Sequence, residues 1–342
     1  MRGATGSDQP TLADLARQAG VSKATVSRAL SGSPEVSEAT RQRIRALAWR
    51  TGYRIDARAR ALATRRTQTI GLVIPRTARF IFANPYFSQL IEGIGEVVDA
   101  AGYHILLSTS TDPLAFRALF LERRVDGLLM TASAVPVEAL DAVAECAEHC
   151  PLVLINQPFR RIPCMSVAVD NVMGIEQVVQ HLVQRGHHRI AFIASPDMTV
   201  HGRERRRAFI DATASYASQV EVVGLQTGDD TESGGTVALG QLLEHDPTFD
   251  ALVCSNDLMA IGAMQELMRH GRNVPKDVAV VGFDDIRLAS LVRPALTTVR
   301  QPVDRAGRVA AQLLLQQLER PDASLRHDQV QLATELVVRD SG

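Results

Sequence analysis

The chain has 342 residues, 46% of them apolar and 22% charged, and a formal net charge of −1. That length and apolar share predict a small domain plus one or two larger ones, and no apolar run is long and charge-free enough to predict a membrane span. The N-terminal ten residues are polar and glycine-containing, without the apolar stretch of a secretion signal, and the cysteines at 146, 150, 164 and 254 are few and set in apolar surroundings, so a reducing cytoplasmic location is expected.

The near-zero charge conceals a division. Residues 1–66 carry thirteen Arg or Lys against five Asp or Glu, a net of +8, and the remainder carries −9. A basic head gains affinity for phosphates by releasing counterions, independently of sequence.

Thr11 and Asp14 form a capping-box start, Leu12, Leu15, Ala16 and Ala19 recur at helical spacing, and Gly20 ends the segment. Ser22 caps a second helix with Val26, Ala29 and Leu30 on its inner stripe and Lys23, Ala24, Thr25, Ser27 and Arg28 towards the outside. A third helix begins at Ser37, with Ile44, Leu47 and Ala48 on one face. This is a helix-turn-helix layout, shared by any basic helical hairpin, and the charge division tips it towards DNA. Residues 56–63 are mostly good helix formers in a segment too short to be helical alone in water.

Further along, strand-like runs at 69–74, 104–109, 127–131, 152–156, 189–194, 221–225, 251–254 and 278–283 alternate with helix-length segments at 87–101, 137–148, 172–185, 204–214, 232–244 and 258–269. The alternation predicts two doubly wound parallel sheets with helices on both faces, which bind ligands at the carboxyl ends of their strands. Polar or aromatic residues stand there: Asn84, Tyr86 and Phe87 after the first run, Asn156 and Gln157 after the fourth, Asn256 and Asp257, and Asp284 and Asp285. Simpler roles compete, with Asp257 and Asp284 as helix caps, Tyr86 and Phe87 as core, and the arginine-rich run 203–207 as a solvated face.

Ile91, Ile94 and Val98 form an apolar helical face that suits a dimer surface and a core equally. Cys146 and Cys150 share a helical face beside His149, but a second ligand pair is missing, so buried free thiols are expected rather than a metal. Gly93-Ile94-Gly95 lies inside a helical pattern instead of after a strand, and there is no phosphate-binding glycine loop, nucleophile elbow or zinc-type His-Glu pair. No cofactor, no metal and no catalysis are expected.

Thr11-Leu12, Asp14-Leu15-Ala16, Ala19-Gly20-Val21-Ser22, Thr25-Val26-Ser27-Arg28, Leu30, Val36-Ser37, Thr40-Arg41 and Gly52-Tyr53 stand at the spacing found in the lactose repressor (LacI/GalR) family of bacterial transcription regulators. The chain resembles that family over nearly its whole length. The resemblance implies a helix-turn-helix domain at 9–55, a hinge helix and linker at 56–68, and a periplasmic-binding-protein-like body at 69–342. Subdomain one is expected at about 69–167 plus 297–325, and subdomain two at about 168–296 plus 326–340. It further implies that Lys23, Ala24 and Arg28 meet base edges, with Arg28 able to donate two bonds to one guanine, worth roughly 1–3 kcal/mol. Thr25, Ser27 and Ser37 are then phosphate contacts, and the 59–62 run, with Arg60, is the hinge helix whose Leu62 wedges the minor groove.

In the body, the resemblance assigns effector contacts to Arg205, Asn256 and Asp284. Asp284 and Arg205 suit vicinal hydroxyls, Asn256 and Asn156 can donate and accept, and Tyr86 or Phe87 can cover an apolar sugar face. That set favours a sugar over a purine, because family members that bind bases have stacking partners at the positions of Gln157 and Asp230. The implied partners are double-stranded DNA bearing a pseudo-palindromic operator, a small-molecule effector, and further copies of the chain in a homodimer or tetramer, with no membrane. The cytoplasmic chain is expected at the nucleoid. Ile55-Asp56 replaces the usual Pro-Asn, Trp49 a polar residue, Thr51 a leucine and Ala208 a glycine. The rivals are a clamshell carrier of the same fold, which calls for a secretion signal and no basic head, a sugar-modifying enzyme on a doubly wound fold, which calls for a catalytic constellation, and a regulator of the same family that activates or answers a corepressor.

Overall fold

The computed structural model describes residues 10–31, 33–53, 66–110, 112–131, 140–156, 162, 164–245, 248–320 and 329–342. The chain divides between Thr67 and Gln68 into two units.

The first unit contains α1 (Leu12–Ala19), α2 (Lys23–Leu30) and α3 (Glu38–Thr51). The Thr11 hydroxyl accepts from the Asp14 amide while the Asp14 carboxylate accepts from the Thr11 amide, so two orphan donors at the start of α1 are satisfied reciprocally. Gly20 ends α1 at φ 65°, a left-handed conformation that costs a residue with a side chain more than it costs glycine. There the Val21 amide donates to the Ala16 carbonyl at 3.1 Å, and the chain turns into α2. Leu15, Val26, Ala29 and Ile44 close a core with no exposure. Trp49 is 89% exposed, so α3 packs through Ile44 and Ala48 and the substitution leaves the core unaltered.

The second unit runs β1 (Thr69–Val73), α4 (Ala78–Ala83), α5 (Pro85–Ala100), β2 (His104–Ser108), α6 (Pro113–Leu121), β3 (Gly127–Thr131), α7 (Leu140–His149), β4 (Leu152–Ile155), β5 (Met165–Val169), α8 (Asn171–Gln184), β6 (Arg189–Ala194), α9 (Val200–Ala214), β7 (Glu221–Thr227), α10 (Glu232–His245), β8 (Ala251–Cys254), α11 (Asp257–Arg269), β9 (Ala279–Asp284), a 3₁₀ turn (Arg287–Ser290), β10 (Thr297–Arg300), α12 (Val303–Glu319), β11 (Gln329–Leu332) and β12 (Glu335–Val337). Two six-stranded sheets result, in the orders β11-β5-β4-β3-β1-β2 and β12-β10-β9-β8-β6-β7. Among the described residues every pairing is parallel except that of β10 with β12. The central strands are buried along their whole length, which is why they read as unbroken apolar runs rather than alternating ones.

The chain crosses between the sheets three times, after β5, after β10 and after β11. The subdomain limits expected from the sequence therefore need correction. Strand Met165–Val169 stays whole in the first sheet instead of ending at 167; Thr297–Arg300 belongs to the second sheet, not the first; and Gln329–Leu332 belongs to the first, not the second. The reason is pairing register: Thr297 sits beside Val281 and Gln329 beside Ser166, partners that short, polar strands do not advertise in sequence. Among the described residues no helix is long and apolar enough to cross a membrane.

Ile94 and Val98 are fully buried in the first sheet's core, with Ile91 packed partly against it, so this face is core. The adjacent Gly93 explains the approach of α12: a Cβ there would lie 1.9 Å from the Asp304 carbonyl oxygen. Gly93→Ala should lower the unfolding free energy of this unit by about 1–3 kcal/mol, as overpacking against an unyielding backbone does. Urea denaturation followed by circular dichroism checks this; an unchanged midpoint would show that α5 and α12 slide apart without cost.

Candidate functional site

On α2, Lys23, Ala24, Ser27 and Arg28 are exposed and Thr25 is half-buried. The Thr25 amide donates to the Ser22 hydroxyl at 3.1 Å, and the two hydroxyls lie 2.9 Å apart. Ser37 likewise caps α3, its oxygen accepting from the Thr40 amide and its hydroxyl donating to Thr40 Oγ1 at 2.9 Å. Ser37 thus starts a helix in the free head, whereas the Thr25 hydroxyl bonds the Ser22 cap. The Arg28 guanidinium pairs with Glu35, Nε to carboxylate at 3.0 Å. Ile55, Asp56, Arg60, Leu62 and Gln157 lie outside the described residues.

In the second unit, a cleft with about 540 Å³ of empty volume, part of it open to solvent, lies at the carboxyl ends of the strands of both sheets. The cavity proper is about 60 Å³. Tyr86, Phe87, Asn156, Arg205, Asn256 and Asp284 all line it, although they span about two hundred positions of the chain.

Arg205 projects from α9 and is 3% exposed. Its Nε donates to Asn171 Oδ1 at 2.8 Å, its Nη1 to the Ser255 carbonyl at 2.5 Å and to Asp284 Oδ1 at 3.3 Å, and its plane lies 3.6 Å from the centroid of the Phe283 ring. The guanidinium is thereby fixed in orientation rather than solvated, and the arginine-rich run is only partly a solvated face: Arg203 and Arg207 are exposed. Asp284 ends β9 at φ 121°, outside the regions where residues with side chains are comfortable, and its Oδ1 also accepts from Gln301 Nε2 at 2.5 Å. Asn156 and Asp230 have left-handed backbones as well, at φ 59° and 69°. Such conformations persist where surrounding structure enforces them and cluster at ligand sites.

Asn256 does two things at once. Its Oδ1 caps α11 by accepting from the Met259 amide at 2.8 Å, and its Nδ2 donates to Asp230 at 3.2 Å. Asp257 is no cap: its carboxyl accepts from the Ile286 amide at 2.8 Å and from Thr298 Oγ1 at 2.5 Å, joining the ends of β9 and β10. Tyr86 meets Phe87 edge to face and receives a hydrogen bond from Asn156 Nδ2. Asn156 Oδ1 and Gln301 Oε1 are buried, and among the described residues no group donates to either. Orphan acceptors of this kind cost free energy unless a ligand or water donates to them.

Burial is the main cause that raises Asp284 to about 6, opposed by the charges of Arg205 and His201 and the Gln301 bond. Burial also raises the Tyr86 phenol, with the Asp284 charge adding to it. For Asp230 burial pushes upward, but a hydrogen bond and charge from His201, the Ser195 hydroxyl and the Arg76 charge outweigh it and hold the carboxyl below its ordinary value. Arg76 Nη2 and His201 Nε2 stand 3.6 and 3.8 Å from Asp230 Oδ2.

Sequence reading missed Arg76, Asn171, His201 and Gln301 as lining residues, and reached Asp230 only through the resemblance. Asn171 and Gln301 follow strands that were not predicted, and Asp230 stands past a strand that continues to Thr227 instead of stopping at 225. The rule of polar groups after strand ends reaches these three once the strands are correct. All four cysteines are buried free thiols, with Cys146, Cys150 and Cys164 in one apolar cluster. Among the described residues no group of three or more His, Cys, Asp or Glu is placed to hold a metal ion.

Residues 11–55 match the family of bacterial regulatory proteins designated lacI, and residues 179–342 match the periplasmic binding protein-like domain. The chain is 33% identical over 342 residues to the HTH-type transcriptional regulator CelR of Thermobifida fusca, covering 98% of each chain. A structure of a transcriptional regulator CelR-cellobiose complex superimposes with a TM-score of 0.75 at 32% identity, covering 97% of this chain and all of that one. The lac repressor dimer bound to operator and the anti-inducer ONPF superimposes with a TM-score of 0.84 at 27% identity, covering 98% and 99%.

Proposed function

Because this chain belongs to the lacI family of bacterial regulatory proteins and is a DNA-binding transcriptional regulator, we propose that it is a cytoplasmic repressor whose operator affinity is set by a sugar in the body cleft. Two heads in a homodimer read the halves of a pseudo-palindromic operator, with Lys23, Ala24 and Arg28 at base edges, Thr25, Ser27 and Ser37 at phosphates, and the hinge residues Arg60 and Leu62 in the minor groove. Re-aiming the hydroxyls of Thr25, which bonds the Ser22 cap, and of Ser37, itself a cap, is a small step, since a hydroxyl both donates and accepts.

The observation that carries the sugar reading is the set of buried acceptors in the cleft: Asn156 Oδ1 and Gln301 Oε1, to which no described residue donates, and the Asp284 carboxylate. Arg205 is meanwhile held by Asn171, Ser255 and Asp284. A ligand rich in hydroxyl donors, with an apolar ring face to set on Tyr86 or Phe87, satisfies this inventory. The cellobiose bound by the CelR relative is of that chemical class. The cleft binds rather than turns over, and the bound sugar releases DNA by favouring one relation of the hinges over another, which requires different affinities for the two states.

Selection of duplexes from a random library, repeated with mono- and disaccharides and nucleosides, tests the reading. A palindrome whose enrichment one sugar abolishes, with that sugar recovered unchanged, is the expected result. Enrichment under no condition, or abolished by a nucleoside alone, would overturn it.

Asp284 supplies a pH signature. As a carboxylate it accepts from ligand hydroxyls; protonated, it loses one acceptor pair. Since its pKa is raised to about 6, effector affinity should be full above that pH and fall as pH drops through it. Calorimetric titration at stepped pH checks this, and Asp284→Asn should flatten the profile. A wild-type profile already flat would remove Asp284 from ligand contact.

A further inference from the structure

Arg28 is the strongest base reader in the head, and a free arginine side chain loses considerable rotamer entropy when it is immobilised on a base. The head contains a group placed to reduce that loss. Glu35 meets Arg28 at Nε, 3.0 Å away, so that the edge left to face a base is the outer Nη1/Nη2 fork. Both side chains are more than half exposed, and the pair therefore adds little to stability.

What distinguishes Glu35 is its support. The turn carrying it is tied at both ends: the Ser33 amide donates to the Arg28 carbonyl at 3.0 Å, and Val36 is buried in the head core. From α3, Arg41 Nη2 donates to the carbonyls of Ser33 and Val36 at 3.0 and 3.2 Å, with its Nη1 held by Glu38 at 2.6 Å. Residues 33–36 are therefore tied to both α2 and α3 within the head. We propose that Glu35 is a positioning residue for base readout, which presets the Arg28 fork from a turn clamped by Arg41, and this rests on the reading of Arg28 as a guanine contact. A carboxylate near phosphates weakens binding to any sequence, so Glu35 also raises specificity by depressing the non-specific background.

The test measures, by full-length chain and the operator obtained by selection, the affinity ratio between that operator and duplexes substituted one base pair at a time. Glu35→Ala should cut discrimination by about two- to fivefold at the base pair that Arg28→Ala identifies, with other positions unchanged and non-specific binding stronger. Glu35→Gln, which keeps an acceptor without the charge, should retain most of the discrimination while raising the background equally. In the Arg28→Ala, Glu35→Ala double variant no further discrimination should be lost. Because Glu35 is exposed, thermal unfolding should not move. Wild-type discrimination in Glu35→Ala, or a loss spread evenly over all positions, overturns the positioning role while leaving the Arg28 reading intact; unchanged discrimination in Arg28→Ala overturns both.

Discussion

Replacing Arg205 by methionine is expected to abolish the response of DNA binding to effector and to destabilise the body by about 3–5 kcal/mol, the cost of leaving a buried charge without its partner. The arginine lies against Phe283 and is bonded to Asn171, Ser255 and Asp284, so its loss removes a group that lines the cleft and strands an already reluctant carboxyl. The two consequences separate in a second variant. Arg205→Met combined with Asp284→Asn removes both charges, and it should recover much of the lost stability in urea while remaining deaf to the sugar. Calorimetry and operator release measured on the same preparations decide it. An effector response retained in either variant would place the sugar elsewhere.

Arg28→Ala carries the second large effect. If the guanidinium donates two bonds to one guanine, each half-site loses roughly 1–3 kcal/mol of discrimination, about 10- to 100-fold in affinity ratio, and a dimer feels this twice. Arg28 is read as a base contact, so the slope of affinity against salt should stay near the wild-type value even as specificity collapses. A variant that instead loses affinity uniformly across sequences, with a shallower salt slope, would make Arg28 a phosphate contact.

Those two predictions rest on residues of unequal legibility. Arg28 was visible because a helix of eight residues with Val26 and Ala29 inside has little choice about which side chains face out. Arg205 was not, from spacing alone: it sits in a run of arginines, and only the resemblance raised it above a solvated face. Its burial depends on Asn171, Ser255 and Asp284, which arrive from three distant parts of the chain.

The sequence by itself determined the local events, because their causes are local. The capping box at Thr11, the left-handed Gly20, the cap at Ser37 and the apolar runs of the central strands follow from side-chain and backbone preferences within a few residues. Tertiary structure decided what depends on pairing. Thr297–Arg300 and Gln329–Leu332 are too short and polar to announce themselves, and they become strands because Val281 and Ser166 already offer a paired edge. The same pairing carries Gln301 to the cleft, while Asp230 acquires Arg76 and His201 across space. Whether a polar group is a ligand contact or a solvated side chain is fixed by desolvation and by partners remote in sequence, and that is information no local pattern holds.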